Sequence, residues 1–341
     1  MPRSLPVGTL AKYTTLRQLQ VFEAVARLGS FTRAADELYL AQPTVSMQIK
    51  KLTNSIGYPL LEQIGQRIEM TEIGRDVYTA CHDVFGALES LEMKIAAIQG
   101  MRKGHLKLAV LTSAKYLGPH LLGAFLRHYP EIDIELKVTN RENLLKRIER
   151  HDDDIYIMGQ PPEGLDAESF PLVPNPLVAM ARYDHPLAQE SHIPLKRLIQ
   201  EPLIMREQGS GTRAAFEQLI TAKGMTLPPP KMEFASNEAI KQAIVAGLGI
   251  SFMSRHSLVL EGTDGPISIL DVQGFPIERN WYLLYPKGRN PSIVTQTFLD
   301  FVANEGRDLL ENFEAEMKDF QQRRRKPIPK KTAKSTQKKK A

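Results

Sequence analysis

Cysteine and tryptophan are nearly absent from this 341-residue chain, which contains one of each. With Cys81 as the single cysteine, no intramolecular disulfide can form, and a disulfide-stabilised scaffold is excluded. The sequence has no run of about 18 apolar residues, the length that a membrane-spanning helix requires. The stretch 1–15 also has no apolar core of signal-peptide length. These absences favour a cytoplasmic protein with no membrane partner.

Acidic residues are missing from the C-terminal end. The segment 321–341 has ten Lys or Arg and no acid, whereas residues 69–320 have 26 basic and 35 acidic side chains. Residues 1–68 are basic again, with eight basic and four acidic side chains. A basic head on an acidic body fits a protein that contacts nucleic acid at one end. The tail 321–341 is low in complexity and is expected to be disordered. Two interpretations of it stay open: added sequence-independent affinity for DNA, or a solvated end.

A segment near the N-terminus, GSFTRAADELYLAQPTVSMQIKKLTNSIG, has the pattern of two short helices joined by a tight turn. Ser30 is a suitable N-cap for the first helix, and Pro43 lies in the first turn of the second, where proline is tolerated. On the second helix Val45, Ile49 and Leu52 recur at steps of four and three residues and should face inward. The outer face carries amides, hydroxyls and one lysine, which suit base edges and phosphates. An ordinary helical hairpin is the alternative.

A small wing is predicted after the second helix. Leu60–Gln63 and Arg67–Met70 read as two short strands around Gly65. An arginine on the second strand would be available to the DNA backbone. The residues predicted to bind DNA are Arg33, Gln42, Pro43, Thr44, Ser46, Met47, Lys50 and Arg67.

A long helix follows the wing, capped by Thr71 and predicted to run from Glu72 to about Gln99. Its apolar residues alternate at steps of four and three, the spacing of a coiled-coil seam. A seam of this length favours pairing with a second subunit, and burial against its own domain is the alternative. The predicted dimerisation residues are Val77, Cys81, Val84, Leu88, Leu91, Ile95 and Ile98.

From His105 onward, strands alternate with helices, which predicts mostly parallel sheets covered by helices. The predicted strands are Leu106–Thr112, Ile132–Val138, Ile155–Met158, Leu177–Arg182, Leu203–Met205, Met232–Phe234, Ile250–Met253, Ile267–Val272 and Trp281–Tyr285. The predicted helices are Pro119–Tyr129 and Arg141–Glu149, followed by three that begin at Thr212, at Asn237 and near Ile293.

Small polar residues and two arginines lie where the predicted strands meet helices. Ligands of open α/β sheets bind beyond the carboxyl ends of the strands, where helix N-termini and arginines favour anions. These positions predict a small anionic effector rather than a cofactor or metal. The charged stretch His151–Asp154 is interpreted as a turn, and no residue set proposes an enzymatic reaction. The predicted effector-binding residues are Thr112, Ser113, Asn140, Arg141, Gln208, Ser210, Thr212, Arg213, Ser236 and Asn237.

A family resemblance covers about residues 14–310. The motifs LRQLQVF, SFTRAA, AQPTVS, QIKKL and MTEIG resemble the winged helix-turn-helix head of LysR-type transcriptional regulators. The resemblance implies a mainly α-helical winged helix-turn-helix head and a long linker helix for dimerisation. It also implies a two-lobe α/β effector domain similar to periplasmic binding proteins. The domains expected are a head at 14–71, a linker at 72–100, and an effector domain at 105–310 with lobe I at about 105–172 and 266–310 and lobe II at about 173–265.

Further motifs resemble one subgroup of this family. REQGSGTR, SNEAIKQAIVAGLGISFMSRH and VTNRENLLKRI are similar to the CbbR-type regulators of carbon-fixation operons. This resemblance implies an activator that senses a metabolite such as ribulose bisphosphate or 2-phosphoglycolate. The partners implied are double-stranded DNA with inverted half-sites, further copies of the chain in a dimer or tetramer, and RNA polymerase. A regulator of another operon stays open, and so does a ligand-binding protein with only architectural DNA binding, which would call for more basic residues and apolar wedges on its DNA-binding face.

Overall fold

The structure, a computed structural model, describes residues 9–65, 67–98, 104–259, 265–288, 291–306, 308–310 and 312. The predicted tail at 321–341 and the end of the linker after Ile98 lie outside these residues. Contacts divide the chain into two units. The first unit contains the described residues up to Leu111 together with Phe125–Phe170 and Leu283–Asp300, and the second contains Thr112–Ala124, Pro171–Tyr282 and the described residues from Phe301. The boundaries of head, linker and lobes given above stay predictions.

The secondary structure begins with four helices, after which strands and helices are interspersed. The helices are α1 Thr9–Tyr13, α2 Leu16–Leu28, α3 Phe31–Glu37, α4 Gln42–Ile56, α5 Glu72–Ile98, α6 Gly118–His128, α7 Arg141–Glu149, α8 Leu195–Leu198, α9 Gly211–Ala222, α10 Asn237–Val245 and α11 Ile293–Phe301. The strands are β1 Leu61–Ile64, β2 Arg67–Met70, β3 Gly104–Leu111, β4 Ile132–Thr139, β5 Ile155–Met158, β6 Ala167–Pro174, β7 Leu177–Arg182, β8 Ile204–Arg206, β9 Met232–Phe234, β10 Ser251–Ser254, β11 Ile267–Ile269 and β12 Asn280–Pro286. None of the described helices is both long and apolar enough to cross a membrane.

Side-chain caps mark the starts of α2 and α3, and a proline marks the start of α4. Thr15 and Gln18 form a reciprocal capping box at α2, and the Ser30 hydroxyl accepts a hydrogen bond from the Arg33 backbone N–H at α3. Pro43 lies in the first turn of α4, as predicted. Gly57, at φ 84°, ends that helix in the left-handed region that favours glycine.

The three helices α2, α3 and α4 pack around one apolar core. As predicted, the apolar side of α4 faces inward, and Ala34 and Ala35 of α3 are also buried. Leu16, the first residue of α2, is 50% exposed. The core positions of the three helices are Val21, Phe22, Ala24, Val25, Ala26, Ala34, Ala35, Val45, Ile49, Leu52 and Ile56.

The predicted wing is an antiparallel pair, β1 and β2, with Ile64 opposite Arg67 and Leu61 opposite Met70. The first strand starts one residue later than predicted. Leu60 is buried beneath α5 instead, and its carbonyl oxygen touches the backbone of Gly74. This close approach fixes the wing against the start of α5.

We expect Gly74→Ala to destabilise the head. An added Cβ would lie 2.0 Å from the Leu60 carbonyl oxygen, so the backbone must shift, at about 1–3 kcal/mol. Thermal unfolding followed by circular dichroism measures the change. Gly123→Ala in α6 is the matched control, because its Cβ would meet nothing within 4 Å. Equal unfolding temperatures for the two variants would contradict this packing.

Helix α5 begins as predicted, with the Thr71 hydroxyl accepting a hydrogen bond from the Gly74 N–H at 3.0 Å. Its predicted seam is divided in two. Cys81 is fully buried in the core of the head, so its assignment as a dimerisation residue is wrong, whereas Val77 is only partly buried against that core and its assignment stays a prediction. Burial also raises the pKa of the Cys81 thiol to about 12, which makes it a packing residue rather than a reactive one.

The rest of the seam forms an exposed stripe on α5, and its four described side chains are 37–53% exposed. We call Val84, Leu88, Leu91 and Ile95 the linker stripe. The side chain of Ile98 lies outside the described part of the chain. A regularly spaced apolar stripe that remains exposed on a helix is typical of a surface that another helix covers.

The larger sheet has the strand order β4-β3-β5-β12-β6. Its strand β3 runs parallel to both β4 and β5, as the alternating pattern predicts, with Leu108 opposite Leu136 and Ile155. Strand β6 was not predicted. Pro171 and Pro174 interrupt its pattern, and the strand lies at the edge of the sheet, where proline is tolerated.

The second unit contains two smaller sheets. Strand β7 pairs antiparallel with β10 and β11, and β8 pairs parallel with β9. Isolated parallel bridging between Leu203 and Ile250 continues the pairing beyond β8. This arrangement brings the last residue of β8 near the segment that precedes α10 and the segment that follows β3.

Candidate DNA-binding face and candidate effector site

The outer face of α4 is open to solvent. Gln42, Met47 and Lys50 are exposed, while Thr44 and Ser46 are partly exposed. The Gln42 side-chain amide donates a hydrogen bond to the Ser46 hydroxyl at 3.1 Å, which holds two candidate base-reading groups side by side. The face therefore offers adjacent donors and acceptors with one cation, as direct contact with base edges requires.

Other predicted DNA-binding residues surround this face. Pro43 is exposed in the first turn of α4. The Arg33 guanidinium, also exposed, donates a hydrogen bond to the Leu28 carbonyl. The side chain of Arg67 is outside the described part of the chain, so its predicted phosphate contact stays a prediction.

In the second unit, a buried arginine connects three of the predicted junctions. Arg206, the last residue of β8, is 5% exposed. It donates hydrogen bonds to the Asn237 side-chain oxygen at 2.6 Å and to the Thr112 hydroxyl at 3.4 Å. Its remaining bonds are a bidentate pair with the Glu207 carboxylate at 2.7 and 2.8 Å. The sequence prediction omitted Arg206, although an arginine at the end of a strand, directly before a Gly-rich loop, is a signal that could have identified it.

We expect Arg206→Gln to lower the free energy of unfolding by about 2–4 kcal/mol, because Glu207, Asn237 and Thr112 lose a buried donor. Urea unfolding can be followed by the fluorescence of Trp281, which is buried in the same unit. Arg197→Gln is the control, since the exposed pair of Arg197 with Glu201 should contribute no more than about 0.5 kcal/mol. If Arg206→Gln lowers the free energy of unfolding no more than the control does, the Arg206 bonds do not stabilise this unit.

The loop after β8 presents small polar groups at the start of α9. Gln208 is exposed, and Gly209 adopts the left-handed region at φ 79°. Ser210 is at the N-cap position, but its side chain makes no capping hydrogen bond. Ser210 and Thr212, like Ser113 after β3, are nearly buried. Their hydroxyls can donate to an anion at the N-terminus of a 12-residue helix.

Arg213, which was expected to contact the effector, is turned inward. Its Nε donates to the Glu217 carboxylate at 2.7 Å, and its Nη1 donates to the Arg206 carbonyl at 3.1 Å and to Glu233. The carboxylates raise the pKa of the guanidinium, with Glu217 contributing most, against the opposing effect of burial. Arg213 therefore fixes α9 against β8 and β9 through contacts within the chain, and its direct binding of the ligand stays a prediction.

Two predicted residues lie in the first unit. Asn140 caps α7 by accepting a hydrogen bond from the Asn143 N–H at 2.9 Å. The Arg141 guanidinium donates to the Gln160 carbonyl at 2.9 Å, and burial lowers the pKa of this arginine. In the second unit, Ser236 caps α10 in the same way as Asn140 caps α7.

The stretch His151–Asp154 is a turn, as interpreted from its sequence. Its three carboxylates accept hydrogen bonds from the Tyr78 hydroxyl at 3.0 Å, the Arg147 guanidinium at 2.8 Å and the Lys107 backbone amide at 2.9 Å. Each of the three aspartates therefore has a hydrogen-bond donor, which stabilises its carboxylate next to the buried strand β5.

These features define a class of protein, a ligand-responsive DNA-binding regulator. They are a winged helix-turn-helix with an open recognition face, a long helix with an apolar stripe, and an α/β domain with a polar cluster at its strand ends. Two family profiles match the chain: "Bacterial regulatory helix-turn-helix protein, lysR family" at residues 16–75, and "LysR substrate binding domain" at residues 99–307. The chain belongs to the LysR family of bacterial transcriptional regulators. The predicted family, the fold class and a role in transcription rather than catalysis are confirmed.

Several relatives are similar over most of their length. The HTH-type transcriptional activator CmpR of Synechocystis sp. PCC 6803 is 50% identical over 291 residues, which cover 85% of this chain and 95% of that protein. The RuBisCO operon transcriptional regulator of Acidithiobacillus ferrooxidans is 45% identical and covers 85% and 94%. The regulatory domain of Synechocystis CcmR, solved in complex with 2-PG, is 48% identical with a TM-score of 0.56 and covers 59% of this chain and 96% of that one. Full-length OxyR of Pseudomonas aeruginosa has a TM-score of 0.67 at 19% identity, covers 85% and 95%, and shows the shared fold.

Proposed function

We propose that this protein activates a carbon-fixation operon by binding its promoter as a dimer. The observation that carries this proposal is the similarity to regulators named for the RuBisCO operon, over 85–86% of this chain and 94–97% of those proteins. The outer face of α4 supplies the base contacts, and the linker stripe pairs two subunits. Pairing of the stripes places two copies of α4 on successive turns of the same side of the DNA.

We infer that the effector is a small phosphorylated carboxylate of the 2-phosphoglycolate type. The 48% identical regulatory domain solved with 2-PG supports this chemistry. The hydroxyls of Ser113, Ser210 and Thr212, together with the Arg206 cluster, provide donors suited to an anion. The ligand alters transcription by binding one conformation of the regulator more tightly than the other.

The proposal is tested with a reporter fused to the RuBisCO operon promoter of the source organism. Deletion of the regulator gene should lower expression, and its return should restore it. Isothermal titration with 2-phosphoglycolate should show binding, whereas glycolate, which lacks the phosphate, should bind at least about tenfold more weakly. Unchanged reporter expression would exclude the operon, and equal affinity for the two compounds would exclude the effector class.

A further inference from the structure

A second charged cluster lies in the second unit, beside the Arg206 cluster. Glu238, in the first turn of α10, accepts a hydrogen bond from the Tyr116 hydroxyl at 2.5 Å. The same carboxylate lies 3.0 Å from the Lys241 ammonium and 3.4 Å from that of Lys115. One carboxylate from α10 thus holds a tyrosine and a lysine from the segment that follows β3.

Of the two cations of this cluster, Lys241 is buried and Lys115 is 33% exposed, and the anion is accessible from solvent. The Lys241 side chain is 5% exposed, and its ammonium also donates to the Ser257 carbonyl at 3.2 Å. The ammonium groups of Lys115 and Lys241 lie 5.0 and 5.2 Å from the centre of the Tyr116 ring. The Glu238 side chain, by contrast, is 50% exposed. A buried ammonium needs a partner of opposite charge. Because the Glu238 carboxylate is half exposed, an anion from solvent can replace it as that partner.

The charges leave this cluster with a positive excess. Lys115 and Lys241 carry two positive charges against the single negative charge of Glu238, while Arg206 is neutralised by Glu207. Partial burial alone would raise the pKa of Glu238, but the Tyr116 hydroxyl and the two lysines lower it to about 2. The carboxylate is therefore ionised at neutral pH. A phosphate group with nearly two negative charges would match the two ammonium groups better than one carboxylate does.

A simpler interpretation is that Glu238 only stabilises α10. An acid in the first turn favours the helix dipole, and a lysine three residues later adds an ordinary helix pair. That interpretation accounts for Lys241 but not for Tyr116 and Lys115, which come from a segment more than 100 residues away and converge on the same carboxylate.

We propose that the Glu238 carboxylate is an internal competitor for the anionic effector, holding Lys115 and Lys241 until an anionic group of the ligand replaces it. This inference rests on the proposed function, because it concerns the same class of ligand. Displacement of Glu238 also breaks its bond with Tyr116 and so releases the segment after β3 from α10. Ligand binding is thereby coupled to a change in contacts within this unit.

The test is Glu238→Gln in the full-length protein, titrated calorimetrically with inorganic phosphate and with 2-phosphoglycolate. Removing the competing charge should raise the affinity for both anions roughly threefold to fivefold, as expected for loss of a partly exposed ion pair. Glu201→Gln, which removes the partner of Arg197 elsewhere in the same unit, should leave the affinity unchanged. Thermal unfolding confirms that each variant is folded.

Tyr116→Phe is the second variant and serves if Glu238→Gln does not fold. Loss of the hydroxyl removes one bond to Glu238 and should raise the affinity roughly twofold to threefold. Unchanged or weaker binding in the two variants would overturn the competitor role while leaving the effector class intact, provided that the natural protein binds. If neither anion binds to the natural protein or to any variant, both the competitor role and the effector class are overturned. The DNA-binding role is tested separately by footprinting of the promoter.

Discussion

The double variant Leu88→Glu/Leu91→Glu is expected to be monomeric and to bind promoter DNA about 100-fold more weakly, or worse. Both leucines belong to the linker stripe and are 39% and 53% exposed in the single chain. Pairing of two stripes would bring four added carboxylates into one apolar seam, where unpaired charges are strongly disfavoured. A dimer binds its second half-site as an intramolecular event, and this gain of about 10²–10⁴ is lost in the monomer.

Analytical ultracentrifugation gives the mass of the variant, and gel-shift titration gives its DNA affinity. Asp83→Lys is the matched control, because it changes a charge on an exposed position of α5 next to the stripe without entering it. The control should remain a dimer. A dimeric double variant would mean that the subunits associate through another surface.

Gln42→Ala is expected to lower the affinity for the specific site by about 1–3 kcal/mol and to relax the sequence preference. Lys50→Ala should instead weaken binding to specific and random DNA alike and reduce the salt slope by about one. The hydrogen bond between Gln42 and Ser46 makes a further prediction. Since either alanine disrupts the same pair, the double variant Gln42→Ala/Ser46→Ala should cost less than the sum of the single variants.

Fluorescence anisotropy with a promoter duplex and a scrambled duplex of the same length measures both affinities. Asn54→Ala, on an exposed position in the last turns of α4, is the control and should leave the ratio of the two affinities unchanged. Equal losses on both duplexes for Gln42→Ala would mean that this side chain contacts only the DNA backbone.

The head was predictable because its signals are local. The N-cap Ser30, the early Pro43 and the final Gly57 specify where helices begin and end. The heptad spacing of α5 specified which face is apolar, but the partner of that face cannot be inferred from periodicity. Of its first two residues, Cys81 is buried in the head of the same chain and Val77 is partly buried against it.

The candidate effector site was only partly predictable because its contacts are distant in sequence. Polar residues at the strand ends identified the region, and Arg206 then proved to join Thr112 with Asn237. The sequence prediction named Arg213 and omitted Arg206, although both lie beside the same Gly-rich loop. Only the fold shows that Arg213 is occupied by Glu217 and Glu233 and that Tyr116 meets Glu238.

We propose that the exposed face of α4 reads bases and that two subunits joined along α5 set the spacing of the half-sites. Hydroxyl-radical footprinting of the promoter measures that spacing. The prediction is two protected half-sites with centres about one helical turn apart, roughly 34 Å, or a multiple of this distance. Both half-sites should disappear together in the Leu88→Glu/Leu91→Glu variant. Protection that is uniform along the DNA, or that is the same on scrambled sequence, would contradict the claim.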